Sequence, residues 1–243
     1  MPFINPEDGY LTVINLFKTD TTEKRDRLLK ETMEVVDSVG YPGWISSTVH
    51  LGQDRLGTLN FIQWRAVEDL QSWYAGEVFK HRDMSVFLEI MTYGRLLQAE
   101  VELSQCHPDA GKVPEISPER EDYTVVEIFD VQPERQGALI SSISAAHDWL
   151  VDTPGYRSQS VLRGVRARGP KGVGELQTLG PDNSFVVVYS QWSGKEAYDA
   201  FRAVPDDRRP AARRATDIER YALTTAADWN TYRVVHAGSA DQP

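Results

Sequence analysis

One pattern occurs twice in this chain, and that repeat limits the possible folds more than any other feature. Residues 11–50, LTVINLFKTDTTEKRDRLLKETMEVVDSVGYPGWISSTVH, align without a gap on residues 123–162, YTVVEIFDVQPERQGALISSISAAHDWLVDTPGYRSQSVL, at a constant offset of 112. Thr12 falls on Thr124, Val13 on Val125, Phe17 on Phe129, Pro42 on Pro154, Gly43 on Gly155, Ser46 on Ser158 and Val49 on Val161. Further on, FIQW (61–64) matches YSQW (189–192) at an offset of 128, so the second copy holds about 16 extra residues. Self-similarity on this scale points to two copies of one supersecondary unit. The extra residues fall in RGVRARGPKGVGELQTLGPDN (163–183), whose glycines and basic residues predict an exposed inserted loop between two strands.

Periodicity gives the content of each copy. TVINLF and TVVEIF are short and rich in β-branched and aromatic residues, as strands are. TEKRDRLLKETMEVVDSV places Leu28, Leu29, Met33, Val35 and Val36 on one helical face, with Thr21 or Thr22 as N-cap. A Pro-Gly turn leads into WISSTVHL and then TLNFIQWRA, both strands. A second helical region follows, broken near Gly76, and RLLQAEVEL closes the unit. The order β-α-β-β-α-β is the ferredoxin-like split motif, an α+β fold. The first unit spans 8–103, a polar, proline-containing linker 104–121, and the second unit 122–236, with a frayed tail beyond Val235. A four-stranded sheet with helices on one face leaves the other face apolar, so two such sheets have to cover each other. They would pack within one chain, enclosing a cavity, with a swapped arrangement or a homodimer of the two-domain chain also open.

Composition excludes several classes. The formal net charge is −10, which argues against nucleic acid and anionic membrane surfaces. Cys106 is the single cysteine, so neither an intrachain disulfide nor a thiolate zinc cage can form. The amino terminus carries no basic, apolar leader, and no apolar run approaches the roughly 20 residues of a membrane span. A cytoplasmic location is expected. Walker, G-x-G-x-x-G and G-x-S-x-G motifs are missing, and the histidines do not reach metal-ligand spacing.

The strand pair WISSTVHLGQDRLGTLNFIQW resembles the antibiotic-biosynthesis-monooxygenase family of the dimeric α+β barrel superfamily, whose members often read G-F-x-S-x-x-x-H and then N-Y-x-Q-W. The resemblance covers nearly the whole chain in two copies. It implies oxidation of a polycyclic phenol, of the aromatic-polyketide kind, to a quinone by O2, without flavin, haem or metal. Other members cyclise polyketides, degrade haem or have no known activity, so a non-redox cyclase or a non-catalytic ligand-binding module stays open. The family's cavity Asn and Trp match Asn60 and Trp64, and a His ten residues before the Asn matches His50. Its Tyr position is Leu70 in the first copy, and the closest candidate for its Arg is Arg82. The second copy keeps Trp192 and has Tyr198 at the Tyr position, but Val188 and Leu162 replace the Asn and His. In the haem-degrading branch an Asn on the first strand and a Trp with a following His would match Asn15 and Trp73, with His81 two residues short of the required place.

The chemistry explains these residue types. A phenol gives an electron to O2 only after it becomes an anion, so a site needs help with deprotonation, a dry cavity and donors for the oxyanion. On this reading His50 is the general base, Asn60 the hydrogen-bonding partner and Trp64 a packing surface or N–H donor. Arg82, Trp73, Trp192 and Tyr198 would contact substrate. Asn60, Ile62 and Trp64 alternate onto one strand face, with Phe61 and Gln63 on the other.

Overall fold

The structure, a computed structural model, describes residues 2–38, 40–77, 85–172, 175–178 and 184–240. The first repeat gives β1 (Leu11–Lys18), α1 (Thr22–Asp37), β2 (Trp44–Gly52), β3 (Gly57–Trp64), α2 (Val67–Ala75), the short α3 (Ser85–Ile90) and β4 (Tyr93–Cys106). The second gives β5 (Tyr123–Val131), α4 (Gln136–Ala145), α5 (His147–Leu150), β6 (Tyr156–Gly172), β7 (Glu175–Thr178), β8 (Ser184–Trp192), α6 (Lys195–Ala203), α7 (Ala211–Leu223) and β9 (Thr224–Ser239). Thr21 caps α1, its hydroxyl accepting from the Lys24 N–H at 3.2 Å. The chain leaves helical geometry at Gly76, where the sequence predicts a break.

Each repeat contributes four antiparallel strands in the order 4-1-3-2, and the two sets join edge to edge. The full order is β4-β1-β3-β2-β9-β5-β8-β6-β7, with β4 also paired to β6. The sheet therefore closes into a barrel through two seams, β2–β9 and β4–β6, with β7 hanging on β6. Closure satisfies backbone groups that open edges would leave for other chains. It also corrects two expectations. The tail beyond Val235 is not frayed: Ser46 pairs with Ser239 across the first seam. The inserted segment 163–183 is not simply a loop, because β6 runs on to Gly172 and pairs Arg168 with Leu96 of β4. Residues 173–174 and 179–183 of that segment lie outside the described residues.

Side chains fill the barrel, as in other barrels of about eight strands. Leu59, Phe61, Leu97, Leu162, Val187 and Tyr189 are all fully buried within one continuous cluster. Residues 104–121 do not hang free between the repeats. Ile116, fully buried, joins that cluster beside Ile4, held by the Ile4 N–H to Pro114 carbonyl bond and the Ile116 N–H to Pro2 carbonyl bond, both 2.9 Å. The repeated Ser and Gln hold this plug. Ser46 donates to Gln63 Oε1 at 2.7 Å and Ser158 to Gln191 Oε1 at 2.6 Å, while the two amides donate to the Phe3 and Glu115 carbonyls.

The repeated Pro-Gly turn is equally tight in both copies. Gly43 (φ +81°) and Gly155 (φ +79°) occupy the left-handed region, and a Cβ on Gly155 would lie 2.4 Å from Ala197 Cβ. Gly155→Ala should therefore lower stability in urea unfolding by about 1–3 kcal/mol. Gly137→Ala in α4, where a Cβ meets nothing within 4 Å, should be neutral or stabilise by roughly 0.5–1 kcal/mol.

Candidate active site

A cavity of about 180 Å³ lies outside the barrel, between the first repeat's sheet and its helices. Val13, Asn15 and Phe17 of β1 and Asn60, Ile62 and Trp64 of β3 supply its floor. Register fixes this: Asn15 sits opposite Asn60, and Val13 opposite Ile62, so alternate residues share the helix-facing side. Val36 of α1 and Leu70, Trp73 and Tyr74 of α2 supply the roof, with Trp73 stacked on Tyr41 at 3.5 Å between ring centroids. Two polar atoms on the floor, Asn60 Oδ1 and Trp64 Nε1, are buried and have no hydrogen-bond partner; their residues are 7% and 3% exposed. A buried polar group left unpaired costs about 1–3 kcal/mol, so this pair marks where a ligand's own polar atoms would be accepted.

Arg168 is the one charged side chain among the described residues lining this cavity. It belongs to β6 of the second repeat and arrives because β6 is long enough to pair with β4 as far as Leu96. Burial raises the pKa of the Tyr74 phenol, against the pull of Arg168 and Arg166 nearby. Sequence reading missed Arg168 because it lies in the segment expected as a loop, and in the other repeat. Its one signal is the alternation of Arg166 and Arg168 with Val165 and Ala167, which suits a strand as well as a loop.

His50 does not join this site. Thr48 and His50 pair with Phe61 and Leu59, so they point into the barrel, while Val49 pairs with Asn60 on the opposite face. The His50 ring is fully buried, with Nδ1 3.1 Å from the Thr48 carbonyl and Nε2 2.9 Å from the Tyr189 hydroxyl. A carbonyl only accepts, so Nδ1 carries the proton and Nε2 accepts from Tyr189. Desolvation pulls the imidazole down to about 4. His50 is thus a neutral core residue, separated from Asn60 and Trp64 by the sheet itself.

The remaining sequence candidates divide. Trp73 lines the first cavity with Asn60 and Trp64. Trp192 and Tyr198 line a different cavity, under the helices of the second repeat. Arg82 and His81 lie outside the described residues. Among the described residues no group of three His, Cys, Asp or Glu could hold a metal ion, and no helix is long and apolar enough to cross a membrane.

Fold and site together define a ferredoxin-fold α+β barrel protein with ligand cavities between sheet and helices. No family model and no curated protein matches the chain. Among solved structures, an anthrone oxidase-like protein is 44% identical with a TM-score of 0.89, and the alignment covers 99% of this chain and 98% of that one. Two candidate monooxygenases share the fold at lower identity. That of Fusobacterium nucleatum subsp. nucleatum is 9% identical with a TM-score of 0.58, over 95% of this chain and 94% of its own. That of Lactobacillus acidophilus is 8% identical with a TM-score of 0.51, over 95% and 96%. The chain belongs with that anthrone oxidase-like protein in the antibiotic-biosynthesis-monooxygenase family.

The buried imidazole has a measurable consequence. Unfolded, His50 titrates near 6.5, and folded at about 4, so between those values the unfolded chain holds more protons. Its contribution is complete above the unfolded value and is lost as pH falls towards 4, by up to about 3 kcal/mol. His50→Gln should flatten that part of the stability–pH curve in urea unfolding between pH 4 and 7. A slope equal to wild type would mean that the ring is solvated.

Proposed function

We propose that the first-repeat cavity oxidises a polycyclic phenol or anthrone to a quinone with O2, using no cofactor. The observation that carries this reading is the buried, unpartnered pair Asn60 Oδ1 and Trp64 Nε1 in a mostly aromatic and apolar cavity with one cation among its described residues, Arg168. Its support in a relative is the anthrone oxidase-like protein at 44% identity. Asn60 and Trp64 stand four residues apart on β3, about 13 Å along a strand, so they serve separate parts of one flat, extended ligand.

With His50 turned into the barrel, none of the described cavity residues is a carboxylate or an imidazole. Deprotonation then rests on the anion being held rather than on a resident base. The Trp64 N–H donates to a substrate oxygen, Asn60 Oδ1 accepts a substrate hydroxyl, and the Arg168 charge lowers the phenol's pKa so that water takes the proton. The anion passes one electron to O2, and the radical pair joins to form a carbon–peroxide bond. Loss of the remaining hydrogen from that carbon as the O–O bond breaks leaves a carbonyl and releases water. One O2 is consumed, one oxygen atom enters the ring and the other leaves as water.

The test is oxygen uptake by metal-stripped protein given anthrone. Uptake should exceed autoxidation, Trp64→Phe should lower kcat on the order of 10²-fold, the usual effect of removing one oxyanion donor, and Asn60→Ala should lower it as well. Arg168→Gln should move the rate profile to higher pH, because the anion loses its cation. Uptake no faster than autoxidation with anthrone and its hydroxylated analogues, or variants that match wild type, would rule the reading out.

A further inference from the structure

The cavity of the second repeat has kept the fold of the first and changed its chemistry. Glu127 stands where the first repeat has Asn15, Val188 where it has Asn60, and Ser190 where it has Ile62. The tryptophan N–H left open in the first repeat is here satisfied, since Trp192 Nε1 donates to Ser190 Oγ at 3.2 Å. The volume is about 530 Å³, within the roughly 300–1,000 Å³ of small-molecule sites.

Its floor is aromatic. The Trp192 ring lies 4.8 Å from Phe201 and 5.4 Å from Tyr198, and Trp149 stacks on Phe201 at 6.2 Å with an interplanar angle of 15°. Its wall is cationic: Arg202, Arg209, Arg213 and Arg220 face two lining carboxylates, Glu127 and Asp217, and Arg209 also pairs with Asp206 at 2.8 Å, which leaves one positive charge in excess. Asp217 is already shared, lying 3.3 Å from Arg209, 3.7 Å from Arg213 and 3.1 Å from Arg220. Arg202 instead lies over the Trp229 ring at 4.3 Å.

Arg213 decides what such a cavity would take. It is 7% exposed, lies 3.8 Å over the Phe201 ring and spends one N–H on the Phe201 carbonyl at 3.0 Å. Its Nε has no hydrogen-bond partner, and neither does the buried Trp149 Nε1 on the same cavity. Burial, with Arg209 and Arg220 close by, pulls the Arg213 pKa down against the opposing effect of Asp217. The Asp217 carboxylate stands 3.7 Å from the Arg213 Nε, beyond hydrogen-bond distance, so this buried cation is only partly compensated until a second anion reaches it.

We propose that this cavity is a second binding site, separate from the oxidising one, for a flat aromatic carboxylate. The ring lies among Trp192, Tyr198 and Phe201. The carboxylate accepts from Arg213 Nε and Trp149 Nε1 and neutralises the positive charge left in excess. The inference rests on the second repeat alone and stands whether or not the first repeat oxidises phenols.

Calorimetric titration of the full chain with 2-naphthoate, beside uncharged 2-naphthamide, tests it. Naphthoate should bind at least about tenfold more tightly than the amide, the scale of one charge-assisted contact. Arg213→Gln should weaken naphthoate to the level of the amide. Arg202→Gln, at an exposed position that folding tolerates, should weaken it several-fold, and the Asn60→Ala Trp64→Phe double variant should bind as wild type does. Equal affinity for acid and amide, no binding of naphthoate, arginine variants indistinguishable from wild type, or loss of binding in the first-repeat variant would each overturn the proposal. The last of these would place the acid in the oxidising cavity, and the others would leave the arginines as a purely internal ion-pair network.

Discussion

Everything in this molecule depends on the two seams where the repeats meet edge to edge. Strands β2 and β9, and β4 and β6, exchange the backbone hydrogen bonds that each four-stranded sheet would otherwise leave open. Ion pairs cross the joined sheets as well, Arg95 with Asp130 and Lys18 with Asp228, the latter at 2.7 Å. The Lys18–Asp228 pair is partly exposed and adds little beside the ladders themselves. Closure forces the inward side chains to fill the barrel. The ligand cavities are thereby displaced to the outer face, beneath the helices.

That displacement is a matter of strand parity. Each residue of β2 and β3 belongs either to the barrel or to a cavity, and neighbours in sequence take opposite fates. Asn60 and Trp64 fall outward, while Phe61 and Gln63 fall inward. Gln63 then serves the plug, bonded to Ser46 and the Phe3 carbonyl, and Gln191 does the same in the second repeat with Ser158 and Glu115. The Ser and Gln that repeat most visibly are therefore explained by closing the barrel's end. Three pairs that differ between copies, Asn15 and Glu127, Asn60 and Val188, and Ile62 and Ser190, stand on the helix-facing side of the sheet.

Much of this was legible in the sequence, for identifiable reasons. The repeat, the strand and helix order, the break at Gly76 and the shared face of Asn60, Ile62 and Trp64 all follow from local periodicity, which needs no knowledge of partners. His50 was misplaced because its face depends on the register across the β2–β3 turn, and one residue of slip carries a side chain to the other side. Arg168 and the end of β9 beyond Val235 were missed for a different reason. A strand held by a partner far along the chain, as Arg168 is by Leu96 and Ser239 by Ser46, leaves little local signal. Gly- and Arg-rich sequence reads as a loop until that partner is known. For the arginine-rich α7, only packing reveals that Arg213 turns inward over Phe201.

Duplication within one chain has a physical consequence that two identical subunits cannot reproduce. In a symmetric pair, any side chain sent across a seam is sent twice, and both cavities change together. Here the lengthened β6 carries Arg168 into the first cavity, while α6 and α7 crowd four arginines around the second. The cation that would hold a substrate anion in the first repeat is thus supplied by the second. That separates the two sites in charge while the shared barrel, its seams and its plug stay common to both. The first cavity's chemistry is therefore not a property of its own repeat, and a first repeat isolated from the second would lack both its seam partners and its only described cavity cation.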